Sequence, residues 1–198
     1  MSAIAVILYE DRRGPQREFG LHNLVIACVA DELGGDVFSL GLASKLDGRP
    51  MKGVNNLLKS CRQDVRRLGP RGQRVFALID DDEIRTQLKH EGVPRSADEA
   101  VVIQAIKAPG RCVAPEQLEV LLLKDNTETV IEAARDCGAD VSVERALQKD
   151  INARDRVFNH VAWSSARVIR DCIRRKVNAI ERLVLALAAA VRDEGVGS

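Results

Sequence analysis

Aromatic side chains make up 3% of this 198-residue chain: one Trp, one Tyr and four Phe. Proteins that stack successive bases of a single strand on rings need more than that, so a base-stacking platform is not expected. An excess of charge of one sign is missing as well, with 30 Lys and Arg against 29 Asp and Glu. Binding to a polyanion would therefore have to come from a local basic face. No stretch reaches the ~18 apolar residues of a membrane span. The opening MSAIAVILYED lacks the basic start and longer apolar core of a signal peptide. Neither a Walker nor a Rossmann glycine pattern occurs, which leaves no pointer to an organic cofactor. The five cysteines, Cys28, Cys61, Cys112, Cys137 and Cys172, are scattered and odd in number. That favours separate packing roles in a reducing compartment over a disulfide framework. The expectation is a cytoplasmic protein with no membrane partner.

What is present is an ordinary globular balance, 45% hydrophobic and 30% charged, long enough for one well-buried domain and a small helical appendage. Short apolar runs alternate with helical periodicity. Ala3–Tyr9 reads as a first, central strand, and Glu18–Leu33 as a helix stopped by Gly34–Gly35. Val37–Leu42 reads as a second strand, Lys45–Gly53 as a loop, and Gly53–Leu68 as a helix with Lys52, Lys59, Arg62, Arg66 and Arg67 along its polar side. Arg74–Asp80 is a strand, Glu83–His90 a short helix, and Ser96–Ile106 a helix with Ser96 at its N-cap, although Val101–Ile103 leave a strand open. Leu118–Leu123 is a strand and Thr127–Cys137 a helix; everything from Val143 onward is helical. The class expected is α/β: a mostly parallel sheet of about four strands flanked by helices, over residues 1–140, with a helical extension over 141–198.

The functional reading centres on RVFALIDDDE, residues 74–83. An apolar run followed by three aspartates is a buried parallel strand with carboxylates at its carboxyl end, where open α/β sheets place ligands. If strand geometry continues, Asp80 and Asp82 share a side and Asp81 points away. Glu10 ends the first strand in the same manner, so the three acids would converge and call for a hard divalent ion. The plainer alternative is a polar turn in which Asp82 caps the helix begun by Glu83.

Glu10 in VILYED, then Asp80 and Asp82 in LIDDDE, with Glu119–Asp125 (EVLLLKD) as a third element, resemble the TOPRIM fold. That fold is shared by topoisomerases, primases and the overcoming-lysogenization-defect nucleases, and it occurs in bacterial defence-associated proteins. The resemblance implies phosphodiester chemistry with Mg²⁺ or Mn²⁺, with Glu10, Asp80 and Asp82 as metal ligands and Glu10 alternatively as general base. Glu119 and Asp125 would serve a second metal and Lys124 the developing phosphate charge. Arg12, Arg13, Lys52, Lys59, Arg62 and Arg66 would hold a DNA or RNA backbone by phosphate contact. A partner ATPase or other defence protein follows by family analogy alone.

Each assignment has a plain competitor. Glu119 can be an edge residue facing water, the Lys/Arg series a solvated helix face, and Arg12–Arg13 a polar turn. His22 and His160 read as helix-surface or partly buried groups, and Trp163 as a core or interface residue. The apolar stripe of the last helix reads as core, with a homodimer seam as the minority reading. Asp11 stands where TOPRIM proteins commonly carry glycine, and Leu121 where the defence-linked ones carry tryptophan. The first departure favours a non-catalytic adaptor or inhibitor on the same fold; a receiver-like signalling domain ranks third.

Overall fold

The computed structural model describes residues 3–10, 19–124, 126–148 and 150–196. The chain groups into two compact units: Ala3–Pro15 with Leu46–Asn126, and Met1–Ser2, Gln16–Lys45 with Thr127–Ser198. This division does not coincide with the boundary expected at 140, because 16–45 and 127–140 go with the C-terminal helices.

The first unit holds a four-stranded, all-parallel sheet: β1 (Ala5–Tyr9), β2 (Leu46–Pro50), β3 (Arg74–Asp80) and β4 (Leu118–Leu123), in the order β2-β1-β3-β4. The α/β class, the parallel sheet and the central position of β1 are as expected. All five residues of β1 and Val75–Ile79 of β3 are buried, as befits a strand enclosed on both faces. Alternate residues, Val6 and Leu8 with Val75, Ala77 and Ile79 and with Leu118, Val120 and Leu122, form one side of an apolar core. The helical residues Leu57, Leu58, Cys61, Val65, Leu68, Ile84, Leu88, Val102 and Ile106 complete it.

β2 is not where the apolar pattern suggested. Val37–Gly41 is a turn leading into a short helix that begins at Leu42, because Asp36 folds it locally: its carboxylate accepts from the backbone of Phe38 and Ser39 and from the Ser39 hydroxyl. Phe38 is left 95% exposed. The edge strand is LDGRP instead, whose Gly48 and Pro50 an outer position tolerates.

Between β2 and β3 the chain is helical from Val54 to Leu68, as α3 (Val54–Lys59), a π-turn (Ser60–Asp64) and α4 (Val65–Leu68). The π-turn frees carbonyls for outside partners: Arg62 O accepts from Val113 N and Cys61 O from the Cys112 thiol. After β3 come α5 (Asp81–Lys89) and α6 (Glu99–Ile106). The helical reading of α6 holds, but its N-cap is Asp98 and not Ser96, which lies before the helix.

The second unit is helical: α1 (Gly20–Leu33), the short α2 (Leu42–Lys45), α7 (Glu128–Asp136), α8 (Glu144–Leu147), α9 (Ile151–Trp163), α10 (Arg167–Lys176) and α11 (Asn178–Val196). α1 is buried from Leu24 through Asp31, so it is enclosed by its neighbours and not amphipathic. It ends as expected at Gly34, whose φ of 72° suits a residue without Cβ. Its start lies against α9: a Cβ on Gly20 would meet the Asp155 carbonyl at 2.8 Å. The α11 residues Ile180, Leu183, Val184, Leu187 and Val191, with Val177 before it, are buried within the chain, which makes the stripe core. Trp163 is 52% exposed and so is no core residue.

Cys137 and Cys172 form a disulfide, whereas Cys28, Cys61 and Cys112 are free and buried. The expectation of five separate thiols is corrected for this pair. Thirty-five residues separate its members, and the packing of α7 on α10 brings them together.

Candidate functional site at the carboxyl edge of the sheet

Because all four strands are parallel, their carboxyl ends share one edge. Glu10 leaves β1 there, and its backbone N–H donates to Leu78 O of β3. Its carboxylate accepts from Asp80 N at 3.3 Å. This places the two acids side by side, as expected from their positions at adjacent strand ends.

The third acid is Glu83, not Asp82. Strand geometry stops at Asp80, which is the N-cap of α5, so the period changes from two to 3.6 residues. Helical spacing then brings Glu83, three residues on, towards the strand end, and its side chain hydrogen-bonds that of Glu10. Asp82 is exposed; its carboxylate accepts from Glu83 N. It neither joins the cluster nor caps the helix from outside, since α5 begins at Asp81. Asp81 is turned to Arg85, at 2.7 Å.

Burial pushes the Glu10 carboxyl up to about 9; the hydrogen bond with Glu83 and the negative charges of Asp80 and Glu83 act in the same direction, against the Asp80 N–H. Glu10 is the less exposed partner and holds the proton of the pair. The consequence for stability has a definite sign. A folded pKa raised above 4.5 gives a contribution that is fully present below pH 4.5 and is lost as the pH rises towards 9. Thermal melts across that window should show the wild type losing stability while Glu10→Gln, uncharged and of the same shape, loses less. Parallel slopes for the two proteins would remove Glu10 from this role.

A cleft of about 500 Å³ adjoins the cluster, lined by Val54, Asp82, Glu83, Arg85, Thr86, Gln87 and Arg95. Arg85 is fixed by Asp81 and by the carbonyls of Arg95 and Ala97, and Arg95 donates to the Thr86 hydroxyl at 2.6 Å. Two guanidinium groups and two carboxylates thus face one space. The periodicity of α5 did not reveal Arg95, which follows the helix in an irregular segment.

Several expected site residues lie elsewhere or are engaged. Glu119 opposes Phe76, four residues before the edge at Leu123, and is paired with Arg74 at 2.5 Å. At about 3.3 Å per residue it is too far from the strand ends to serve a second metal there. Arg62 does not face solvent with the basic series. It makes a bidentate pair with Glu91, both bonds 2.7 Å, beside Arg111, and donates to Ala105 O. Lys52, Lys59 and Arg66 are exposed; Lys52 follows β2 at the carboxyl edge with a φ of 59°, unusual for a residue with a Cβ. Lys124 directly follows β4 at the same edge and is exposed. Arg12, Arg13 and Asp125 lie outside the described residues.

Among the described residues, no three His, Cys, Asp or Glu side chains are grouped to hold a metal ion by themselves. The donor set does fit a cation bound through one or two carboxylates and completed by water and phosphate oxygens, the usual manner of Mg²⁺. It does not fit a cage made of protein ligands alone. Also among the described residues, no helix is long and apolar enough to cross a membrane. Compared with protein-family models, curated proteins and solved structures, the chain matches none.

Proposed function

We propose that the carboxyl edge of the sheet is a Mg²⁺- or Mn²⁺-dependent phosphodiester-processing site of nuclease type, acting on DNA or RNA. The observation that carries this reading is the gathering of Glu10, Asp80 and Glu83 from two strand ends and one helical turn. Like charges held this close are unfavourable, and a bound cation relieves them. Asp80 and Glu83 are the ligands in this reading, with Glu10 as ligand or general base. The cation would polarise a phosphoryl oxygen and acidify a water. Arg95 on the cleft wall and Lys124 at the strand end would neutralise phosphate charge, and Lys52, Lys59 and Arg66 would hold the backbone without reading sequence. A partner ATPase of a defence system belongs to the same reading, on the strength of the TOPRIM resemblance alone.

A second reading is a non-catalytic adaptor or inhibitor on the same fold, favoured because Glu10, Asp80 and Glu83, although neighbours, are not disposed to hold a metal ion by themselves. Calorimetry with Mn²⁺ separates the two. Wild type should bind, more tightly at higher pH because the cation displaces the proton shared by Glu10 and Glu83. Asp80→Asn with Glu83→Gln should not bind. If wild type takes up no Mn²⁺ with or without an oligonucleotide, the adaptor reading replaces the catalytic one.

A further inference from the structure

The Cys137–Cys172 disulfide stands apart from the other thiols in its accessibility. Cys28, Cys61 and Cys112 are between 0% and 7% exposed, whereas both bridge residues are half-buried. Cys137 is the C-cap of α7 and Cys172 lies in α10. The ends that the bridge joins differ in how else they are held. α10 is anchored on α1 by Arg170, which makes a two-bonded pair with Asp31 at 2.6 and 3.0 Å, and by Arg174, which bonds Glu32. At its C-terminal end α7 has the Asp136–Lys176 ion pair at 3.2 Å, and both members are nearly half exposed. An exposed pair of that kind is a weak tie.

From this asymmetry we propose that Cys137–Cys172 is a redox-operated latch that fixes the C-terminal end of α7 and the following turn, residues 133–143, while α10 stays in place; the first residue of α7, Glu128, is held separately by Arg154. In the closing step the two thiols exchange with a small-molecule disulfide such as oxidised glutathione. One S–S bond breaks and one forms in the protein, and two molecules of reduced glutathione leave with both protons and both electrons. Opening removes the covalent tie, and α7 keeps its apolar contacts through Val130, Ile131, Ala133 and Ala134. The open form is thus a locally loosened state and not an unfolded one.

The test uses the whole chain. After incubation with oxidised glutathione, alkylation in denaturant should modify three cysteines; after dithiothreitol it should modify five. Hydrogen exchange of the reduced protein should rise at least about tenfold in 133–143 and stay unchanged in 167–176. The thermal midpoint should drop by about 5–10 °C, and Cys172→Ser should reproduce both effects without reductant. The proposal is overturned if five cysteines remain free after the oxidant. It is equally overturned if reduction leaves exchange in 133–143 unchanged, or raises it as much in 167–176.

Discussion

Replacing Arg174 by alanine should destabilise the protein by about 3 kcal/mol, lowering the thermal midpoint by about 6–12 °C. Arg174 is 5% exposed, the most enclosed of the charged residues described. Its guanidinium is divided among three carboxylates: Nε to Glu181 at 2.7 Å, one terminal nitrogen to Glu32 at 2.9 Å, the other to Asp171 at 3.7 Å. Removing it leaves an unfilled space and three acids without their common partner. Losing one partner of a buried pair costs about 3–5 kcal/mol. The lower end applies because Glu32 and Glu181 are about a quarter to a third exposed and can rehydrate, and Glu32 keeps Arg192. The hydrogen bond from Arg174 holds the Glu32 carboxyl below its ordinary range. That contribution is present above the ordinary carboxylate pKa and is lost as acid protonates Glu32 through its folded pKa. Arg167→Ala is the control: its pair with Asp171 is long, 3.6 Å, and exposed, so its loss should change stability by no more than about 0.5 kcal/mol. Equal shifts for the two variants would show that the burial of Arg174 has no energetic consequence.

The same distinction between local pattern and tertiary placement decides what could be read from the sequence. β1, β3 and β4 were legible because a strand buried on both faces must be an uninterrupted apolar run. β2 was not: LDGRP carries no apolar pattern, and an edge strand does not need one. VFSLGL carries the pattern, but Asp36 holds its first residues as a turn before α2, a signal available in the Asp–x–x–Ser spacing. At the site, Glu10 and Asp80 were legible as acids that end strands. Asp82 was misplaced because alternation was carried one residue too far into α5. Glu83 could have been found, since Asp80 and Glu83 have the spacing of an N-cap and its third helical residue. Counting from Leu118 along β4 would likewise have set Glu119 away from the edge. Nothing local marks Cys137 and Cys172 as partners, since their approach depends on how α7 meets α10.

These corrections change which carboxylates should matter for catalysis. With Mn²⁺ and an oligonucleotide substrate, Asp80→Asn should reduce cleavage by more than about 100-fold, the upper range for altering a group one shell removed from a metal. Glu83→Gln should fall in the same class, while Asp82→Asn should lose far less. The ordering follows from position: Asp80 and Glu83 act on Glu10 directly, whereas Asp82 reaches no further than the backbone N–H of its neighbour. Folding should not confuse the result. The bond from Asp80 N to Glu10 is a backbone donation that asparagine retains, and removing the Asp80 charge relieves repulsion within the cluster. Asp80→Asn should therefore melt no lower than wild type above neutral pH, where that repulsion is greatest. If Asp82→Asn abolishes cleavage and Glu83→Gln does not, the acids would have to rearrange on binding so that strand alternation, not the helical turn, selects the ligands. If all three leave cleavage intact, the carboxyl edge is not the catalytic site, whatever binds there.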